Sequence, residues 1–259
     1  MVLHYQEYGD KNATLIVFIH GAGVSSWMWD SQIRHFTDYH CVTVDLPEQG
    51  LSCNSENFSI RSSAERIIEL ITKIANGKKV MVIGFSLGAQ VTIQMLSLKP
   101  NLINYAIINS ALVRPIPYAK ILIRPSIKLT FPMIRYKLFS KLQAKTLYLD
   151  KENFEKYYKE SCLIKSDTLI RILEENMAFE IPNKFKKANG KILVTVGERE
   201  KSVMKKSASD IVSNNPNSIG IIIPDIGHGV SLAKPDLFNQ MVKMWVEDTS
   251  LPKEVKVIE

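Results

Sequence analysis

The chain has 259 residues, 46% of them hydrophobic and 23% charged, an ordinary globular composition that leaves room for a sizeable core and argues against disorder. No apolar stretch approaches the roughly 18 residues that cross a bilayer, and the first twenty residues carry no basic leader. Cys41, Cys53 and Cys162 lie far apart with no Cys-x-x-Cys pair, which suits neither a disulfide framework nor a zinc site, so a reducing, cytoplasmic setting is expected.

Six short apolar, β-branched runs recur along the chain: 14–20 (TLIVFIH), 40–46 (HCVTVDL), 79–84 (KVMVIG), 104–110 (NYAIINS), 191–197 (KILVTVG) and 218–225 (SIGIIIPD). Continuous rather than alternating apolarity indicates strands covered on both faces, as in parallel sheets. Segments with helical spacing lie between them. Residues 62–75 place Ile67, Ile68, Leu70, Ile71 and Ile74 on one face, with Ser62 and Glu65 spaced as a capping box. Residues 87–99 form a second helix stopped by Pro100, and 235–248 a third that opens on Pro235. Strands alternating with helices predict an α/β fold with a mostly parallel sheet and right-handed crossovers. The alternation breaks once: 111–190 reads as helical segments punctuated by Pro115, Pro117, Pro125, Pro132 and Pro182. The expected organisation is a core of 1–110 and 191–259 with a helical insertion at 111–190.

Sites in open α/β sheets form at the carboxyl ends of strands. Five such ends carry suggestive residues: HGAG after 14–20, DLPEQGLS completing 40–46, FSLG after 79–84, EREK after 191–197 and IGHG after 218–225. Gly-Phe-Ser-Leu-Gly at 84–88 is weak as a bare pattern. It gains weight from its place between a strand and a helix, where a sharp turn needs glycines around a serine held in a strained conformation. The helix that follows aims its N–H groups and its positive end at the same spot.

These motifs, in order and spacing, resemble the α/β-hydrolase superfamily, specifically its single-domain members with a helical cap, and the resemblance covers nearly the whole chain. It implies an α/β-hydrolase fold and a serine hydrolase acting on a carboxylic ester or thioester through an acyl-enzyme, with no cofactor. Ser86 would be the nucleophile and His228 the base, since an imidazole with a near-neutral pKa is the usual partner for a weak hydroxyl nucleophile. The family position of the acid that orients the histidine falls on Glu200, a departure because Asp is usual there. Glu198 and Asp225 stand as alternatives. The backbone N–H groups of Ala22 and Leu87 would form the oxyanion hole. His20 would brace the oxyanion loop, Asp45 would be structural in a loop where Glu48 and Gln49 replace the usual Gly and His, and Trp27 and Trp29 would belong to the core. The same triad in relatives also serves carbon–carbon bond hydrolysis or lyase chemistry, and a low-turnover, receptor-like ligand binder is a further alternative.

The net charge of +7 is concentrated in the insertion: from Arg114 to Lys145 there are eight basic residues and no acidic one. Such a stretch suits steering of an anionic substrate, contact with an anionic membrane surface, or a solvated face whose aliphatic stems cover core. No nucleic-acid-binding motif accompanies the charge. Leu122, Leu129, Phe131, Met133, Leu138, Phe139, Leu147 and Tyr148 are candidates for the wall of an apolar substrate pocket.

Overall fold

The chain enters its sheet through Tyr5–Gly9 (β1), a strand that the apolar pattern did not mark because YQEYG is polar and largely exposed. Leu15–Ile19 (β2) follows, then the short helix Asp30–His35 (α1), His40–Val44 (β3) and Ile60–Ile74 (α2). Next come Val80–Phe85 (β4), Leu87–Leu98 (α3) and Tyr105–Asn109 (β5). Helices Ala119–Thr130 (α4), Lys137–Ala144 (α5), Lys151–Leu163 (α6) and Ser166–Ala178 (α7) fill the insertion before Lys191–Gly197 (β6). The chain closes with Ser202–Asn214 (α8), Ser218–Ile223 (β7), Val230–Ala233 (α9), Pro235–Val246 (α10) and Lys256–Val257 (β8). This computed structural model describes residues 3–53 and 56–258.

The eight described strands form one sheet in the order β1-β3-β2-β4-β5-β6-β7-β8. The inner pairings are parallel, while β1 on β3 and β8 on β7 are antiparallel edges. Every residue of β2, β3 and β4 is buried. Alternation along the strands then divides the core into two layers. Val17, Val82, Ile108 and Val194 face one layer with the apolar stripes of α2, α3 and α8. Phe18, Ile83, Ile107 and Leu193 face the other, where Phe238 and Met241 of α10 pack. Trp29 fills that second layer between Phe18 and Phe238, its ring centre 5.2 and 6.2 Å from theirs.

Two local readings are corrected. The helix expected to begin at Ser62 begins at Ile60, and Ser59 caps it by accepting from the Ser62 N–H at 3.1 Å. Glu65 is therefore not a capping partner and instead pairs with Arg61 at 3.0 Å. In the insertion, Pro125 lies inside α4 instead of interrupting it, whereas Pro132 does fall between α4 and α5.

Candidate active site

β4 delivers Ser86 at its carboxyl end, and α3 begins at the next residue. Ser86 has φ 52° and ψ −110°, a conformation that an L-residue adopts only when its surroundings hold it there. Two glycines let those surroundings close in. A Cβ on Gly84 would lie 2.4 Å from the Gly88 carbonyl oxygen, and one on Gly88 would lie 2.3 Å from the Ile19 oxygen. The Ser86 N–H donates to the Asn109 carbonyl at 2.8 Å, which ties the turn to the end of β5.

His228 reaches the same point from the loop after β7. Its Nε2 lies 3.0 Å from Ser86 Oγ and its Nδ1 lies 2.8 Å from Glu200 Oε2. With Nδ1–H donating to the carboxylate, Nε2 is left as acceptor for the serine hydroxyl. Glu200 Oε1 accepts from the Gly197 N–H at 2.9 Å and from Ser110 Oγ at 2.7 Å. Burial alone would raise the Glu200 carboxyl, but the hydrogen bond and charge of His228, with the Gly197 and Ser110 donors, outweigh it and hold the group below its ordinary value. The extra methylene of Glu is absorbed by folding the side chain back over Gly197, three residues earlier.

Glu198 and Asp225 lie apart from this chain of hydrogen bonds. Glu198 Oε1 is 2.6 Å from Lys256 Nζ, and Asp225 Oδ1 is 3.0 Å from Arg199 Nη2. Ser110 is the residue that sequence reasoning missed. It closes the apolar run 104–110, where no flanking glycine marks the strand end as it does in the other motifs.

Gly21 lies against this group: a Cβ there would meet the Phe85 ring at 2.8 Å and Ser86 Cβ at 3.4 Å. Among the described residues, neither the Ala22 N–H nor the Leu87 N–H has an acceptor. Leu87 is fully buried, so its unpaired donor carries a desolvation cost that a bound anion would relieve. His20, equally buried, donates from Nδ1 to the Gly21 carbonyl at 2.7 Å and accepts the Leu46 N–H on Nε2 at 2.9 Å. Burial pushes its pKa down and keeps it a neutral brace between two loops. Asp45 accepts from the Ser26 and Leu51 N–H groups, each at 2.9 Å, and so holds the neighbouring loop. Gln49 Oε1 accepts from the Gly23 N–H at 3.2 Å.

The insertion is fastened to these loops by carboxylates. Glu160 of α6 accepts from Ser25 Oγ at 2.7 Å and from Trp27 Nε1 at 3.0 Å, so Trp27, partly buried against the second core layer, also bridges to the insertion. Glu48, at the usual glycine position and at φ 62°, accepts from Thr168, Arg171 and the Phe58 N–H. Tyr148 Oη accepts the Gly227 N–H at 2.9 Å, beside His228. Of the residues expected to wall a pocket, Leu147 and Tyr148 lie against the His228 loop. Leu122, Leu129 and Leu138 do not wall an enclosed pocket, being 58%, 80% and 75% exposed.

The sequence profile described as "Alpha/beta hydrolase family" matches residues 16–241, and the chain belongs to that family. A Haemophilus influenzae protein named as an esterase/lipase is 23% identical over 95% of this chain and 88% of its own length. The (E)-2-((N-methylformamido)methylene)succinate hydrolase of Acinetobacter baylyi is 23% identical over 95% of this chain and 94% of its own. The crystal structure of a bromoperoxidase from Bacillus anthracis superposes with a TM-score of 0.81 at 16% identity, covering 95% of each chain, which establishes the shared fold. Relatives named for such different reactions place the question of activity on the site itself.

Proposed function

We propose that the chain is a serine hydrolase that cleaves a carboxylic ester or thioester through an acyl-enzyme. The hydrogen-bonded series Ser86–His228–Glu200, at 3.0 and 2.8 Å, carries this reading. His228 takes the proton of Ser86 Oγ as that oxygen attacks the carbonyl carbon, and the imidazolium then returns it to the departing alkoxide or thiolate. Glu200 fixes the tautomer of His228 and stabilises its charged form. The unpaired N–H groups of Ala22 and Leu87 supply the donors for the oxyanion of the tetrahedral intermediate, each worth about 3 kcal/mol in such a role. Water, activated by the same imidazole, attacks the acyl-enzyme and releases the acid.

Glu160 and Tyr148 tie the insertion to Ser25 and to Gly227 beside His228, which supports a role for it as the cap that bounds the acyl or leaving group. A fluorophosphonate probe tests the proposal. Covalent labelling at Ser86 and burst release from a chromogenic ester are expected, both absent in Ser86→Ala. Failure of the native protein to label would remove the nucleophile, and binding without turnover would favour a ligand-binding role.

A further inference from the structure

Helix α4 is apolar on two sides. Ala119 and Ile123 are buried against Ile170 of α7, with Ile127 partly buried beside them, a stripe spaced at i, i+4 and i+8. Leu122, Pro125 and Leu129, at i, i+3 and i+7, define a second face that none of the described residues covers, and Ile121 beside it is 71% exposed. Across the turn that joins it to α5, Leu138 and Leu142 repeat the arrangement at i and i+4, with exposures of 75% and 66%. Large aliphatic side chains are rarely left this open in adjacent helices without a partner.

All eight basic residues from Arg114 to Lys145 are exposed on the same segments. Three of them are paired at the margins, Arg114 with Asp210, Arg124 with Glu174 and Lys137 with Glu155. Lys120, Lys128, Arg135, Lys141 and Lys145 have no carboxylate partner among the described residues. A second copy of the chain is a poor occupant, because a twofold interface would set this predominantly positive surface against itself. A small anionic substrate would use the charge and leave the leucines without a role. One partner satisfies both: a surface with anionic head groups above an apolar layer, which lysine side chains reach while aliphatic neighbours enter the acyl boundary.

We propose that the outer face of α4 and α5 is a docking surface for an anionic lipid bilayer. Neutral head groups would not suffice, since the leucine patch is small and the basic residues contribute near the surface only where the lipid is charged. Docking there would set the loops around Ser86 close to the bilayer by way of the insertion, independently of whether Ser86 turns over an ester.

Co-sedimentation with large unilamellar vesicles tests this. Vesicles of phosphatidylglycerol and phosphatidylcholine at 50 mM salt should pellet the protein, whereas phosphatidylcholine alone, or 0.5 M salt, should not. Leu129→Gln with Leu138→Gln changes only exposed positions and should lower the partition coefficient at least about tenfold, with the melting temperature unchanged. Lys128→Gln with Lys145→Gln should lower it about 25-fold, at about fivefold per charge removed. Ser86→Ala should bind as the native protein does, which separates this result from the fate of the ester-hydrolase reading. No pelleting with anionic vesicles overturns the proposal. So does pelleting that the double leucine variant leaves unchanged, since charge alone would then be responsible. A native dimer that this variant converts to monomer, without vesicle binding, assigns the face to a second copy, and binding of polyglutamate in place of vesicles assigns it to an acidic protein.

Discussion

Gly88→Ala isolates the backbone packing that positions Ser86. A methyl group at residue 88 would lie 2.3 Å from the Ile19 carbonyl oxygen and 2.6 Å from that of His20, where ordinary contact begins near 3.4 Å. Relief requires α3 and the end of β2 to part by about 1 Å, and overpacking of this kind costs about 1–3 kcal/mol. The upper end applies, because the obstacle is backbone in a strand paired on both sides. Replacing glycine by alanine in a helix returns about 1 kcal/mol, so the net loss is about 2 kcal/mol, a fall in melting temperature of about 4–8 °C for a chain of this size. The same displacement moves Leu87 N–H away from Ala22 N–H, and about 1 Å of misplacement at a reacting centre costs about 100-fold in rate. Thermal melts by circular dichroism and the rate of fluorophosphonate labelling read the two effects separately. Gly77→Ala serves as control: Gly77 has φ +78° with nothing within 4 Å of the added methyl, so it should lose about 1 kcal/mol from backbone strain with no change in labelling. A Gly88→Ala protein that melts at or above the native temperature and labels at the native rate would refute the reasoning.

Glu200→Gln keeps the shape of the side chain and removes its charge, so ester turnover should fall about 10³- to 10⁴-fold while labelling still occurs slowly. The Glu200 carboxyl lies below its ordinary value of 4.5 in the folded protein. Its contribution to stability is therefore complete above that value and is lost as pH falls through the lower native value. The native protein should accordingly lose its melting advantage over Glu200→Gln as the pH falls below 4.5, and parallel pH profiles would contradict the assignment. Ser110→Ala removes the 2.7 Å donor to the buried carboxylate and should cost about 1.5 kcal/mol, with the acid-side loss of stability moved to higher pH. Glu48→Gly relieves a left-handed φ worth about 1 kcal/mol. It also strands Arg171, Thr168 and the Phe58 N–H, so a net loss of about 2 kcal/mol is expected, and a more stable variant would show the carboxylate network to be weak.

The parallel strands were legible because both their faces are buried, which leaves a continuous apolar run such as LIVFI with no polar interruption. The edge strands were not: β1 reads YQEYG and β8 spans only Lys256–Val257, and an edge half open to water carries no such signal. At the site, Ser86 and His228 could be found because their chemistry demands particular residue types beside glycine. Glu200 was legible as a position three residues beyond Gly197, though its reach to His228 depends on a fold-back that spacing does not encode. Ser110 and Tyr148 act through one hydroxyl each, and their roles arise from the meeting of segments 90 and 79 residues apart in sequence. Leu122, Leu129 and Leu138 were misread as pocket wall for a related reason: helical spacing says that a face is apolar, but not which way the helix turns it.

The ties between insertion and core are unevenly placed. Glu160, Thr168 and Arg171 of α6 and α7 bond across to Ser25, Trp27 and Glu48, and the Ile60 N–H donates to Glu175 at 2.9 Å. Two of these ties end on the loop that presents Ala22, so α6 and α7 could not swing away without disturbing the donors proposed for the oxyanion. The segment 119–145 is held differently. Among the described residues it has no hydrogen bond or ion pair to the sheet core, and its ionic partners Glu155 and Glu174 lie within the insertion itself. Displacing this outer layer breaks the apolar packing of α4 on α7, the Tyr158 Oη bond to the Arg135 carbonyl and the burial of Ala144 in the core layer that also holds Phe154 and Tyr157 of α6, besides a few exposed ion pairs worth at most about 1 kcal/mol each. Local opening follows the least costly set of contacts. The layer that carries the uncovered leucines and unpaired lysines is therefore held by packing on α6 and α7, while the polar ties to the loops around Ser86 and Ala22 come from α6 and α7 themselves.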